Sequence, residues 1–304
     1  MKKLMILGSG TYQKPLIDYA IQHYEVVLVA PSIDEYYRLH VRGSYFYDIR
    51  DEKNILAAAK REGIDGIITD QTDIPMRTVA YVANQLGLPG NPYEVACVYT
   101  DKALMRQRQV EGGIRVLPNT TVDNISDAVE WFRKLGSDVI IKPIDNQGSR
   151  GVALVRTKDE LVSKFDEAKR FSPSGMVMLE KRATGRQFAV EGVAFDGQFQ
   201  SLIISDDDYF SFGDCFAARS RVFNSVAEPS IVQKVLSLND RINGLFGLEC
   251  GLSHAEYIMD GEDVYLLEVG ARGGGAYISS DIIPRVGGLD TAAFSLQDGL
   301  WGYP

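Results

Sequence analysis

Strands are joined in two different ways in this chain, and the change comes near residue 186. In residues 1–95 apolar runs alternate with helical patterns. "KLMILGSG" reads as a buried strand ending in a glycine turn, "EVVLVAP" as a second strand and "IDGIITD" as a third, with a helix expected over 51–61. Strands separated by helices pair in parallel, because only a long crossover brings the chain back to the same edge. From Arg186 onward the strands meet through Asp196-Gly197 and Asp260-Gly261, dipeptides suited to the tight turns of antiparallel hairpins. An α/β domain with a parallel sheet is therefore expected over 1–95, followed by an α+β region over 96–304.

The break between them is "LGLPGNPYEV", rich in Pro and Gly. Two short helices are expected next, over 93–99 and 101–111. A small segment over 116–182 holds a helix from Ser126, a strand into Lys142, a glycine loop, a second strand, a helix and the strand "GMVMLEK". Thr157 and Glu160 have the spacing of a capping box for that last helix. In the larger part, 183–304, a helix over about 228–246 separates the two hairpins. Asp73 reads as a helix N-cap with Pro75 in the first turn.

The chain's 304 residues carry a net charge of −9. That argues against nucleic acid as a partner, because a phosphate backbone wants a basic face. Three cysteines, Cys97, Cys215 and Cys250, are too few and too widely spaced for a disulfide framework or a zinc site, and read as buried thiols. The start "MKKLMILGSG" is a first strand rather than a signal peptide. No apolar run approaches the roughly 18 residues of a membrane span. A cytoplasmic protein without a membrane partner is expected.

Three stretches carry candidate chemistry. In "IIKPIDNQGSRGV", Lys142 closes an apolar strand just before a loop containing Gly148, Ser149 and Gly151. A Walker-type loop would place its lysine after the glycines, at a helix start. Here strand flanks the loop on both sides, so it reads as a hairpin flap whose N–H groups and Ser149 can fold over phosphate, with Lys142 as a fixed charge at its base. The plainer alternative is a surface hairpin with a solvated lysine. In "HAEYIMDGEDVYLLEVGARGGG", Glu256 and Glu268 fall within a residue or two of opposite each other across a hairpin. Like charges there repel unless a cation lies between them. Oxygen-only ligation favours Mg²⁺ or Mn²⁺. The alternative is a wet sheet face. Arg272 and the glycines 273–275 suggest an anion site beside the metal, and His254 reads as a packed histidine before a ligand. In "LEKRATGRQFAVEG", Glu180 and the backbone after it stand at a junction where an adenine edge could be bound. The "GSG" turn at residues 8–10 lacks the third glycine of a dinucleotide fingerprint.

Taken in order, these stretches resemble the ATP-grasp superfamily of ligases. Within it the pattern is most similar to the branch of carbamoyl-phosphate-synthase-like proteins and L-amino-acid ligases. "TDKALMRQ" resembles the first phosphate-binding lysine at Lys102, and "IIKPIDNQGSRGV" the second at Lys142 with its flexible loop. "LEKRATGRQF" resembles the adenine-binding linker, which implies nucleotide contacts from Glu180, Lys181 and Ala183 and a ribose contact from Gln187. "HAEY" and "LLEVGARGGG" resemble the metal strands, implying Glu256 and Glu268 as ligands and Arg272 at the transferred phosphate. The fold implied is a pre-ATP-grasp α/β domain over 1–95, then an ATP-grasp domain with a lid lobe over 116–182 and an antiparallel large lobe. Two positions depart from the pattern: Gln187 stands where Glu is usual, and Gly270 where Asn is common. Many relatives also continue into a further subdomain beyond the point where this chain has "DGLWGYP", which leaves the acceptor site undetermined.

The resemblance implies an ATP-dependent carboxylate–amine ligase using Mg²⁺ or Mn²⁺, in which Lys142 and Arg272 serve the reacting phosphate. Small-molecule carboxylate and amine substrates are the expected partners, with a homodimer left open. Arg219 and Arg221 are candidates for a substrate carboxylate, or simply a solvated strand end. The alternative is a nucleotide-binding regulatory or degenerate member without ligase activity, which Gln187 and Gly270 would suit. A dinucleotide-dependent reductase on the N-terminal domain is a remote third reading.

Overall fold

A computed structural model describes residues 1–210 and 216–298. Cys215, expected to be a buried thiol, lies outside the described residues, as does the end of "DGLWGYP" after Asp298. The N-terminal sheet is parallel throughout, with strands β1 (Lys3–Leu7), β2 (Glu25–Val29), β3 (Gly43–Tyr45) and β4 (Gly66–Ile68) in the order β3-β2-β1-β4. Alternate residues of β1 serve opposite faces. Leu4 and Ile6 pack with Leu16 and Ile17 of the first helix, while Met5 and Leu7 pack with Ile55, Ala59 and Val82 on the other side. The third strand expected, "IDGIITD", is in fact the fourth. β3, "GSY", has three residues and no apolar run, so neither length nor periodicity marks it.

The second sheet is antiparallel and made of β5 (Asn119–Val122), β6 (Val139–Pro143), β7 (Ala153–Val155) and β8 (Val177–Lys181), ordered β5-β8-β6-β7. The helix Lys158–Arg170 on its face begins with the expected capping box, Thr157 Oγ1 accepting from Glu160 N–H at 3.2 Å and Glu160 Oε2 from Thr157 N–H at 3.2 Å.

The third sheet is also antiparallel. It contains β9 (Arg186–Phe195), β10 (Gln198–Tyr209), β11 (Ala218–Phe223), β12 (Gly251–Asp260) and β13 (Asp263–Gly270), ordered β11-β10-β9-β12-β13. Asp196 and Gly197 are the two turn residues of the first hairpin, both with positive φ (49° and 72°). In the second hairpin Asp260 pairs with Asp263, so the turn residues are Gly261 and Glu262, with Gly261 at φ 63°. The turn sits one residue later than the Asp-Gly pair implies, because here the glycine takes the first turn position. One face of this sheet, including Phe188, Val190, Tyr257 and Val269, packs on the helix Pro229–Phe246. The other face is polar.

A bulge in β13 decides what that polar face presents. Tyr257 pairs with Leu266, but Glu256 pairs with Glu268, leaving Leu267 as an extra residue. Side chains alternate faces along a strand, so without the extra residue Glu268 would follow Val264 and Leu266 into the core. The bulge turns Glu268 to the same face as Glu256.

Candidate active site

A cleft of about 500 Å³ lies between the second and third sheets, lined among others by Lys102, Lys142, Ser149, Glu180, Ala183, Gln187, Glu256 and Glu268. Sequence positions from 102 to 268 thus converge on one space. Gly148, Gly151, Lys181 and Arg272 do not line it; Lys181 is exposed at the outer end of β8.

At the lid end of the cleft the charges are buried. Lys142 and Glu180 lie diagonally across the β6–β8 ladder, Nζ to Oε2 2.7 Å. Arg106, one turn beyond Lys102 in the helix Lys102–Glu111, donates through Nε to Glu180 Oε1 at 2.7 Å and through Nη2 to Oε2 at 3.3 Å. Its Nη2 also reaches the bulge carbonyl of Leu267 at 2.8 Å. The side chains of Arg106, Glu180 and Lys142 are 3%, 3% and 8% exposed. Burial opposes ionisation of Glu180, yet Arg106 and Lys142 overcome it and hold the carboxyl at about 2. Burial pushes the Lys142 ammonium down from its ordinary range against the pull of Glu180. Of this buried cluster Lys142 and Glu180 line the cleft, and Arg106 backs them from outside it. Both Glu180 oxygens already accept from Arg106 or Lys142.

At the large-sheet end Lys102 Nζ contacts Glu268 Oε1 at 2.7 Å and the Asn146 carbonyl at 2.7 Å. Arg221 Nη2 donates to Glu256 Oε1 at 2.7 Å, and its Nε is 3.2 Å from Asp207 Oδ2. Glu256 stays well below the carboxylate range despite its burial, held there by His254 and Arg221. His254 is indeed packed, but also paired: its Nδ1 is 2.5 Å from Glu191 Oε1. Burial would lower the imidazole, and Glu191 instead raises it to about 9. Glu191 accepts a further bond from the Gly274 N–H at 3.1 Å, holding the glycine run in place. Arg219 pairs with Asp208 at the surface, away from Glu256. Among the described residues no group of three or more His, Cys, Asp or Glu is arranged to hold a metal. Glu256 and Glu268 are a facing pair, each with a basic partner.

The loop over these groups is held at particular points. Gly148, Ser149 and Gly151 all have positive φ (68°, 56° and 75°). A Cβ on Gly148 would meet nothing within 4 Å, whereas one on Gly151 would sit 3.0 Å from Phe171 Cβ. Gly151 is thus a packing glycine and Gly148 a free one. Gln147 bonds to the loop after β4, its Oε1 accepting from the Asp73 N–H at 2.6 Å. Asp73 is not the N-cap expected of it. The helix Met76–Leu86 has Pro75 at that position, and the Asp73 carboxylate pairs with Arg272 Nη2 at 2.7 Å. Cys97 and Cys250 are free thiols, half-buried, and burial raises both above their usual range, Cys250 to about 11.

Sequence reasoning missed Arg106, Asp207, Glu191 and Gln147. Arg106 had a usable signal, because Lys102 and Arg106 stand four residues apart and share a helix face. Glu191 and Gln147 act through partners far along the chain, and Asp207 through Arg221 directly opposite it on the neighbouring strand.

The family profile described as an ATP-grasp domain matches residues 135–281. It is 24% identical to an alanine–anticapsin ligase of Bacillus subtilis (strain 168) over 268 residues, 81% of this chain and 56% of that protein. It is 23% identical over 317 residues to the carbamoyl phosphate synthase large chain of Clostridium acetobutylicum, covering 97% of this chain and 29% of that one. The fold is similar to the crystal structure of an L-amino acid ligase from Bacillus licheniformis, with a TM-score of 0.84 at 20% identity, over 99% of this chain and 74% of the other. The chain spans little more than half the length of the curated ligase. No helix among the described residues is long and apolar enough to cross a membrane.

Proposed function

We propose that this chain binds ATP in the cleft between its second and third sheets and uses it to join a small carboxylate to an amine. One observation carries the reading: Lys142 and Glu180, backed by Arg106, share a single cleft with a pair of opposed carboxylates, of which Glu268 is held by Lys102. That arrangement suits a polyphosphate with a divalent cation. Glu256 and Glu268 would hold Mg²⁺ or Mn²⁺. The donor set is oxygen-only and supplies two carboxylates, leaving positions for phosphate and water, as magnesium prefers. When bound, such a cation neutralises charge on the phosphates. Lys102 and Arg221, which hold those carboxylates here, would turn to anions of the substrates.

The carboxylate oxygen attacks the γ-phosphorus, the bond from that phosphorus to the β-bridging oxygen breaks, and ADP leaves with the electron pair. The amine then attacks the acyl carbon, phosphate departs, and the amine nitrogen loses a proton. Lys142 and Lys102 hold the phosphates, and Arg272, held by Asp73 beside the cavity that Asp73 lines together with Lys102 and Glu268, stabilises the charge on the transferred group. Gln187 would bond a ribose hydroxyl without a charge. The residues of each lobe follow the division into 1–95 and 96–304, with the lid lobe at 116–182, and the reaction belongs to the cytoplasm in this reading.

The second reading is a nucleotide-binding protein without ligase activity, favoured by Gln187 and by the room taken at Gly270. A screen of carboxylates and amines with Mg-ATP separates the two: ADP and phosphate released only with a carboxylate supports ligation. Added hydroxylamine should then yield a hydroxamate. AMP and pyrophosphate would overturn the acyl phosphate, and ATP binding without turnover would favour the second reading.

A further inference from the structure

Residues 70–73, in the loop after β4, touch more of the site than any motif in the sequence suggests. Asp70 is fully buried, accepting from the Gly273 N–H at 2.9 Å and from the Ser279 hydroxyl at 2.9 Å. Asp73 Oδ2 accepts from Arg272 Nη2 at 2.7 Å. Gln147, on the flap, closes the set twice: its Oε1 accepts from the Asp73 N–H at 2.6 Å and its Nε2 donates to Thr72 Oγ1 at 3.0 Å. One short loop of the N-terminal sheet therefore holds Arg272, the residue after it, and the flap.

Gly270 belongs to the same arrangement. Its φ is outside the left-handed region, so no backbone demand calls for glycine there. Space does: a Cβ at 270 would lie 2.4 Å from Asp73 Oδ1 and 3.1 Å from Arg272 Cζ. The missing side chain makes room for Asp73. The ion pair is nearly out of water, with side chains 13% and 14% exposed, and a charge so buried is costly to leave unpaired. Yet Asp73 Oδ1 and Arg272 Nε have no hydrogen-bond partner in the protein. The arginine is held by Asp73 through Nη2 at 2.7 Å and by the Gly273 carbonyl through Nη1 at 3.2 Å, and its Nε–H is left without a partner.

We propose that Asp73 is a positioning residue for Arg272 and that Gln147 ties the seating of the flap to that position. When the flap lifts, it strips two bonds from the loop that fixes the arginine; when it seats, the arginine is set. The catalytic consequence rests on the ligase reading above, whereas the mechanical coupling does not.

The test has two arms, both on the full chain. In the first, amide hydrogen exchange is read without ligand. Gln147→Ala should raise exchange about tenfold at Asp73 and also at Gly273, whose N–H is on Asp70, since one or two hydrogen bonds are lost. Asp73→Ala should raise it across residues 145–151. Changes confined to the substituted end would overturn the coupling. In the second arm, Asp73→Ala and Gly270→Ala should each lower kcat for ADP release about tenfold with the KM for ATP unchanged. The double variant should be no worse than Asp73→Ala alone, because the colliding oxygen is gone. Wild-type kcat in either single variant, or losses that multiply in the double, would overturn the positioning role. Should the unaltered chain release no ADP with any carboxylate, the ligase reading falls and the exchange arm alone decides the coupling.

Discussion

The two ends of the cleft hold charge in opposite ways. At the lid end Arg106, Glu180 and Lys142 are 3%, 3% and 8% exposed, and every Glu180 oxygen is used. At the other end Glu256 and Glu268 are 28% and 34% exposed, Glu256 being held by Arg221 with His254 beside it and Glu268 by Lys102. The first is a fixed arrangement whose cost was met in folding. The second can trade its partners when an anion or a cation arrives. A site of this kind has one end that is preorganised and one that adapts.

The largest effect should come from breaking the fixed end. Glu180→Gln leaves two buried cations facing each other, and loss of one partner from a buried ionic cluster costs about 3–5 kcal/mol. Urea unfolding should show it, while Glu268→Gln should cost less, because Glu268 is 34% exposed and Lys102 keeps its bond to the Asn146 carbonyl. The pH dependence has a definite sign. The folded Glu180 carboxyl is near 2, below its usual 4.5, so its stabilisation is present above about pH 4.5 and is lost as pH falls toward 2. Glu180→Gln should flatten that acid limb, and an unchanged limb would show that other carboxylates govern it.

How far each end could be read from the sequence follows from the same difference. Lys142, Glu256 and Glu268 stand in short motifs whose neighbours are local, and the parallel and antiparallel units were legible from periodicity and Asp-Gly turns. Glu180 was visible, but its partner Arg106 is 74 residues away, and no spacing rule joins a strand end to a helix that distant. The bulge at Leu267 was equally hidden. "VYLLEVG" alternates well enough to pass for an unbroken strand, and the extra residue shows only when the β12 register is known. Asp73 carries the signal of a cap, with Pro75 in the turn that follows. Its real partner, Arg272, lies 199 residues on.

Next in size is Lys142→Met. A hydrogen bond to a charged group contributes about 1.5–3 kcal/mol, so ATP affinity should fall roughly 10- to 100-fold. The fold should survive, because Glu180 keeps both bonds to Arg106. Calorimetric titration with unchanged affinity would remove Lys142 from the phosphate site. The adapting end predicts a different signature. Glu256→Gln and Glu268→Gln should shift the Mn²⁺ dependence of nucleotide binding to higher metal concentration while leaving metal-free binding nearly unaltered. Equal shifts with and without metal would make these carboxylates partners of Lys102 and Arg221 only.

The smallest effect compares the two loop glycines. Both have positive φ, 68° at Gly148 and 75° at Gly151, and an L side chain there costs roughly 1–2 kcal/mol. Only at Gly151 does a clash add to that strain, since its Cβ would meet Phe171 Cβ at 3.0 Å and Ala168 Cα at 3.3 Å. Gly148→Ala should therefore lose no more than that roughly 1–2 kcal/mol in thermal unfolding, and less where the hairpin tip relaxes, since nothing touches it. Gly151→Ala should lose more, because the helix Lys158–Arg170 ends where the methyl would go. The order of the two melting temperatures is the measurement. If Gly148→Ala proves the more damaging, the loop is anchored at its tip rather than at its base, and Gln147 would have to be what anchors it.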